Sequence, residues 1–189
     1  SPPVTMGHEF CGTVERVGRT AEALWKPGDR VVGELHTGAC GVCELCLAGK
    51  PHICDDKLAL GSKFDGAFAE YLTLPAWLAH PLPAGIPWEV SGVTEPFAIS
   101  AHCLVERGRL EGARSVLITG AATMGLMATI WASRLKAQQI IVAGTRLDSE
   151  SRLPLALELG ATQVVNVDSE DLGDVVRAAT GGAGVDAWV

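Results

Sequence analysis

The spacing of hydrophobic and polar residues changes near the middle of the chain. Before about residue 90, short apolar runs at 12–17, 30–35 and 67–74 are interrupted by glycine and proline. Short strands separated by turn residues are typical of an irregular all-β domain. The residues 26–29 (KPGD) predict a turn that leads directly into the second of these strands.

From about residue 97, apolar strand-like runs alternate with helical stretches. The pattern predicts strands at 115–119, 139–143 and 163–166, and helices at 97–107, 124–135, 149–159 and 172–180. Such alternation indicates βαβ units and a parallel sheet. The final residues, GVDAWV, are interpreted as the beginning of a further strand. We therefore predict two domains, 1–94 and 95–189.

Composition and charge narrow the possible partners. Hydrophobic residues make up 48% of the chain and charged residues 20%, which is enough apolar material for a packed core. The net charge of −7 argues against nucleic acid or an anionic membrane as a partner. No run approaches the roughly 20 apolar residues that cross a bilayer. Clustered thiols without a secretory signal favour a reducing, cytoplasmic setting.

One loop carries four of the six cysteines in the pattern C-x2-C-x2-C-x7-C. They are Cys40, Cys43, Cys46 and Cys54. Disulfides are disfavoured by the close spacing and the reducing setting, and an iron–sulfur cluster lacks the proline that follows the last cysteine in ferredoxins. A structural zinc ion fits the spacing best, and four thiolates would leave it no open position. Cys11 and Cys103 have apolar neighbours and are predicted to be small core residues.

The motif GHEFCG at residues 7–12 places a histidine beside a carboxylate just before a predicted strand. His8 and Glu9 are both good zinc ligands. Alone, such a pair carries little information. The four-cysteine loop about 30 residues further on makes a second metal site here the favoured interpretation.

The segment GAATMG at 120–125 follows a predicted strand and opens a predicted helix. It matches the dinucleotide fingerprint G-x-G-x-x-G, except that alanine replaces the middle glycine. A methyl group at that position would shift the pyrophosphate slightly. The predicted cofactor contacts of this turn are Gly120, Ala122, Met124 and Gly125.

The next strand ends in Gly144, Thr145 and Arg146, where the fingerprint usually carries an acid for the adenosine ribose. The nearest acid, Asp148, lies further into the loop. Without a carboxylate at 144 there is room for a 2′-phosphate, to which Thr145 could donate a hydroxyl and Arg146 a charged hydrogen bond. The run predicts a preference for NADP, with NAD possible. The alternative is a solvated arginine in a surface loop.

Taken in order, GHEFCGTVERVG, the cysteine loop, DGAFAEY, TEPFAISAH and the glycine turn resemble the zinc-containing medium-chain alcohol and polyol dehydrogenases. The resemblance implies a partial all-β GroES-like catalytic domain joined to a partial α/β Rossmann-type nucleotide-binding domain. It also implies hydride transfer between a small-molecule alcohol and a nicotinamide cofactor, with zinc as a Lewis acid. Typical members are longer at both ends and form dimers or tetramers, so the resemblance implies an internal fragment, inactive alone, of a homo-oligomer.

The resemblance also assigns catalytic zinc ligands. His8 and Glu9 match the family's histidine and neighbouring glutamate, while its first ligand, a cysteine, would lie before Ser1. Glu95 stands where alcohol dehydrogenases have a cysteine and where sorbitol and threonine dehydrogenases have glutamate, which indicates the polyol or amino-alcohol branch. The alternative is that Glu95 binds no metal and is an acid before Pro96 at a helix N-terminus, where the helix dipole favours a negative charge.

Two other functions remain open at this point. The first is a related reductase of aldehydes or quinones, although the cysteine loop and Glu95 argue against zinc-free quinone reductases. The second is a nucleotide-binding module without catalysis, since a cysteine ligand and part of the Rossmann sheet would be missing. A metal count and an activity assay separate these.

Overall fold

The computed structural model describes residues 3–189, which form two compact units. The first unit ends at Glu95 and the second is Pro96–Val189. Among residues 3–189, no helix combines the length and the apolar character that a membrane span requires.

The first unit is built from short strands and short helices, as the broken apolar runs predict. Its elements are β1 (Cys11–Thr13), β2 (Arg30–Gly33), β3 (His36–Gly38), α1 (Glu44–Leu47), β4 (Leu58–Ala59), β5 (Ala79–Pro81) and α2 (Trp88–Ser91), with 3-10 helices at Arg19–Ala21, Pro51–Ile53 and Ala76–Leu78. One antiparallel sheet has the order β1-β2-β5, and β3 pairs antiparallel with β4.

The turn at 26–29 and the strand that follows it are confirmed. The amide of Lys26 donates to Asp29 Oδ2 at 2.9 Å. Gly28 has a φ of +93°, a backbone angle that residues other than glycine rarely adopt. The turn leads into β2, where Gly33 packs against Phe10. A Cβ on Gly33 would lie 2.3 Å from Phe10 Cζ, so a side chain there would force the Phe10 ring to move.

The strand predicted at 67–74 is wrong, because the structure has no strand over these residues. The amides of Gly66, Ala67 and Phe68 instead donate to the carbonyls of Thr5, Gly7 and Met6 at 2.7, 2.9 and 2.9 Å. These three bonds tie one end of the segment to the chain just before His8 without a continuing ladder. A strand needs a partner along its whole length, and the alternation of side chains does not show whether one exists.

The second unit contains the predicted parallel sheet. Its elements are α3 (Thr94–Ala101, which begins two residues before the unit), a π-helix (His102–Arg107), β6 (Ser115–Thr119), α4 (Thr123–Arg134), β7 (Gln139–Gly144), a 3-10 helix (Arg146–Asp148), α5 (Arg152–Glu158), β8 (Gln163–Asn166), α6 (Leu172–Ala179) and β9 (Ala187–Trp188). The strand order is β8-β7-β6-β9, all parallel. Helices cover both faces: α4 and α5 share one apolar cluster with β6 and β7, and α6 packs on the other.

Two features of the helices differ from the prediction. The helix predicted from residue 149 begins at Arg152, because residues 149–151 form a turn after the 3-10 helix Arg146–Asp148. The predicted burial of Cys103 is wrong: it is exposed on the π-helix, and the neighbouring Leu104 enters the core at 1% exposure. Cys11 is half-buried, and its thiol lies 3.5 Å from the carbonyl oxygen of Trp88.

Candidate metal centres and nucleotide-binding site

The four cysteines of the loop converge on one point. Their Sγ atoms all lie within 4.8 Å of one another. Cys54 Sγ is 3.6 Å from Cys40 Sγ and 3.8 Å from Cys43 Sγ, and Cys40 and Cys46 are 3.8 Å apart. Four sulfurs around a tetrahedral zinc at about 2.3 Å are separated by about 3.8 Å. The separations are well above a disulfide bond of about 2.05 Å, so the donor set fits a metal ion.

Short turns and backbone amides orient these sulfurs. The amide of Cys43 donates to Cys40 Sγ at 3.3 Å, and the amide of Cys46 donates to Cys43 Sγ at 3.4 Å at the start of α1. Hydrogen bonds to Cys40 Sγ, first from the backbone amide of Val42 and then from the amide of Cys43, lower the pKa of Cys40 to about 7. Burial raises the pKa of Cys46 to about 12. A bare cluster thus resists full ionisation, and a divalent cation would stabilise four thiolates.

His8, Glu9 and Glu95 form a second cluster. Each offers a ligand atom, and these atoms lie within 4.8 Å of one another. His8 and Glu9 are exposed, while Glu95 is half-buried in the first turn of α3. Burial raises the pKa of Glu95, the charge of His8 lowers it, and the charge of Glu9 raises it. An imidazole and two carboxylates form a donor set that suits zinc.

The glycine turn joins β6 to α4. Gly120 has a φ of +102°, and its amide donates to the Ala143 carbonyl at 2.8 Å. A Cβ on Gly125 would lie 1.7 Å from the Gly120 carbonyl oxygen, so only glycine fits there. Ala122, in the place of the middle glycine, has an ordinary φ of −78° and is exposed. The methyl group of Ala122 therefore causes no backbone strain. Met124, in the first turn of α4, is 42% exposed.

The turn after β7 is held by Asp148. Asp148 Oδ2 accepts hydrogen bonds from the amide of Thr145 at 2.9 Å and from its hydroxyl at 3.0 Å. The proton of the Thr145 hydroxyl is therefore already engaged. Arg146 is exposed, its amide donates to Asp168 Oδ2 at 2.8 Å, and its guanidinium has no hydrogen bond or ion pair within residues 3–189.

Comparison with known proteins decides the family. Residues 1–84 match the family model of the alcohol dehydrogenase GroES-like domain. An L-threonine 3-dehydrogenase of Stenotrophomonas maltophilia (strain K279a) is 38% identical over 176 residues, 93% of this chain and 50% of that protein. This chain belongs to the zinc-containing medium-chain alcohol dehydrogenase family.

Solved structures of dehydrogenases superpose on 95–100% of this chain. One, described as a zinc-binding dehydrogenase from Sinorhizobium meliloti 1021 bound to NADP, has a TM-score of 0.86 and 33% identity over 100% of this chain and 54% of its own. Galactitol-1-phosphate dehydrogenase from Escherichia coli has a TM-score of 0.81 and 31% identity, covering 95% of this chain and 51% of its own. The predicted fold class is confirmed. The chain spans about half the length of the curated relatives it matches.

In this member of the medium-chain alcohol dehydrogenase family, sequence reasoning missed two supporting features. The first is the role of Asp148, which the T-x-x-D spacing from Thr145 to Asp148 could have shown, because it is a capping-box pattern. The second is the packing of Gly61 and Gly66 against the backbone of Gly7, the residue before His8. No local pattern pairs these three glycines, since they meet only in the folded unit.

Replacing Gly66 by alanine tests how strongly this packing holds the chain that leads into His8 and Glu9. A Cβ on Gly66 would lie 2.0 Å from the Gly7 carbonyl oxygen and 2.7 Å from Gly61 Cα, both backbone atoms that cannot swing aside. We expect Gly66→Ala to lower the free energy of unfolding by about 1–3 kcal/mol, measured by denaturant titration. Gly12→Ala is the control, because a Cβ there meets nothing within 4 Å. Equal losses in the two variants would contradict the packing argument.

Proposed function

We propose that this protein is a zinc-dependent oxidoreductase that transfers a hydride between an alcohol and NADP, with NAD as a weaker cofactor. The observation that carries the proposal is the cluster of His8, Glu9 and Glu95, whose ligand atoms lie within 4.8 Å in a chain of this family. An imidazole beside two carboxylates is the donor set of a catalytic metal rather than of a closed structural one.

In this proposal the two clusters have separate tasks. His8, Glu9 and Glu95 hold the catalytic zinc, and the half-buried carboxylate of Glu95 favours a cation because water solvates it poorly. A zinc ion bound there supplies a Lewis acid that lowers the pKa of an alcohol oxygen. Cys40, Cys43, Cys46 and Cys54 hold a structural zinc and keep their loop folded.

The nucleotide lies, in the same proposal, at the carboxyl ends of β6 and β7. The positive φ of Gly120 and the missing side chain of Gly125 let the backbone approach a pyrophosphate at the start of α4. Ala122 and Met124 are exposed at the same turn. NADP held at this turn would supply the hydride acceptor, and the chain's residues would bind and orient it.

The substrate class we propose is a secondary alcohol, polyol or amino alcohol. Two relatives support this class by name, the threonine dehydrogenase and the galactitol-1-phosphate dehydrogenase. A reductase acting on an aldehyde is the alternative within the same chemistry. We also propose a homo-oligomer, dimer or tetramer, whose mass light scattering after gel filtration would measure.

The test of the proposal is turnover by the full-length protein that carries this chain. With zinc present, we expect reduction of NADP in the presence of threonine or a polyol, followed by the absorbance of the reduced nicotinamide. The 189-residue chain alone is expected to show no turnover, because it spans about half of its relatives. Full-length protein that binds zinc and NADP yet turns over no alcohol or carbonyl substrate would favour a binding module instead.

Arg146→Ala is expected to remove most of the preference for NADP. A charged hydrogen bond from this exposed guanidinium to a 2′-phosphate contributes roughly 1.5–3 kcal/mol, which is about ten- to a hundredfold in affinity. The ratio of kcat/KM for NADP to that for NAD should fall by this factor, with kcat/KM for NAD nearly unchanged. Arg134→Ala, at the end of α4, is the control. A wild-type protein that prefers NAD would mean that Arg146 is simply solvated.

A further inference from the structure

Gly144 is kept free of a side chain by its neighbours and not by its backbone. Its φ is not in the positive range that favours glycine. A Cβ built on Gly144 would lie 3.1 Å from Asp148 Oδ2, 3.2 Å from Asp148 Cβ and 3.0 Å from Leu153 Cδ2. The carboxylate of Asp148 therefore fills the space that a side chain at position 144 would enter.

Asp148 cannot easily leave this space. It is 8% exposed, Oδ2 accepts two hydrogen bonds from Thr145, and Oδ1 accepts one from Arg152 at 3.0 Å. These bonds hold its pKa below the usual value, with the amide of Thr145 as the largest cause, so the carboxylate is charged at neutral pH. Moving it would leave the Thr145 amide without its partner.

The turn that Asp148 braces also carries Arg146, and two contacts from the end of β8 and the residues after it hold this turn. The Arg146 amide donates to Asp168 Oδ2 at 2.8 Å, and Asn166 Nδ2 donates to Ser149 Oγ at 3.1 Å. Arg146 is therefore held at its backbone while its guanidinium is free of intramolecular partners in residues 3–189.

We propose that Asp148 is a specificity-determining positioning residue: by occupying the space beside Gly144, it excludes an acid at the position that would accept the adenosine ribose hydroxyls. The inference rests on the proposed nicotinamide-cofactor function. An acid introduced at 144 would crowd Asp148, because its Cβ would lie 3.1 Å from Asp148 Oδ2, and it would add a second negative charge beside that carboxylate. Positions 144 and 148 thus form one unit, in which an acid at 144 requires the loss of the acid at 148.

A double-mutant cycle in the full-length protein that carries this chain tests the coupling. Gly144→Asp alone is expected to lower the melting temperature by about 5 °C, because of crowding and like-charge repulsion. In the Asp148→Ala background the same substitution should cost much less, so the two effects are not additive. Gly144→Ala in both backgrounds isolates the crowding, and Asp148→Asn, which keeps the shape, isolates the charge. Additive effects in the cycle would overturn the proposal.

Binding of two matched nucleotides tests the specificity. Adenosine 2′,5′-bisphosphate and 5′-AMP differ only in the 2′-phosphate, and calorimetry measures both. The wild-type full-length protein should favour the bisphosphate. Gly144→Asp/Asp148→Ala should shift the affinity ratio toward 5′-AMP by about tenfold or more, because an acid then faces the ribose. Asp148→Ala alone should still favour the bisphosphate.

The outcomes separate this inference from the function on which it rests. Wild-type full-length protein that binds the bisphosphate, with Gly144→Asp alone as stable as wild type and already favouring 5′-AMP, would show that Asp148 does not control the position. Wild-type full-length protein that binds neither nucleotide would contradict the proposed function and the specificity role of Asp148 together, whatever the melting temperatures show.

Discussion

Cys54→Ser is expected to release one zinc ion per chain and to unfold the cysteine loop. Cys54 is 2% exposed, and its Sγ lies within 3.8 Å of two other sulfurs, so its loss removes a central ligand. Structural zinc contributes about 10–16 kcal/mol in zinc-finger peptides, and its binding energy is folding energy. The zinc content measured by elemental analysis should fall by one equivalent. The melting temperature of the first unit should fall by about 10 °C or more.

The matched control for this prediction is Cys103→Ser. Cys103 is exposed and lies in the second unit, outside the cluster. The zinc content and melting temperature of the Cys103→Ser variant should equal those of the wild type. A Cys54→Ser chain that retains all its zinc, or a thiol assay that finds these cysteines paired as disulfides in freshly purified protein, would show that the loop is held in another way.

The second large effect is expected at the other cluster. In the full-length protein, His8→Ala should lower kcat/KM by about a thousandfold, because a Lewis acid contributes several kcal/mol to stabilising the developing charge. Glu95→Gln keeps the shape of the side chain and removes a negative charge, and should lower kcat/KM by about a hundredfold. Zinc content should fall by one equivalent in His8→Ala while the cysteine site stays filled.

His80→Ala is the matched control for His8→Ala. His80 is also exposed and has a carboxylate partner, Glu34 Oε1 at 2.7 Å, but it lies outside the cluster. The kcat/KM of the His80→Ala variant should stay within about twofold of the wild-type value. Full activity with unchanged zinc content in His8→Ala would show that His8 is not a zinc ligand. The cysteine loop would then be the metal site that the chain retains.

The elements of the second unit were largely predictable from the sequence. β6 (Ser115–Thr119) and β8 (Gln163–Asn166) begin and end where the apolar runs do. The strands of a parallel sheet are buried on both faces, so their hydrophobic runs are continuous and are bounded by turn residues. The run at 67–74 looked similar but forms no strand, because pairing depends on a distant partner that no local pattern reveals.

By itself, the sequence determined the cysteine cluster and the glycine turn. The four cysteines lie close together in the chain, so short turns bring their sulfurs to one point, and Gly120 and Gly125 act within one strand-to-helix turn. Such sites depend on local dihedral angles and short-range hydrogen bonds, which residue type and spacing largely control.

Only the tertiary structure decided which residues meet across long separations. Glu95 comes within 4.8 Å of the ligand atoms of His8 and Glu9, and Asp148 folds back over Gly144. In the sequence, Glu95 joined the ligand set through a family resemblance, and Asp148 was only the nearest acid. These contacts depend on how buried segments pack and on which hydrogen-bond partners burial leaves available. The local spacing of residues reveals neither.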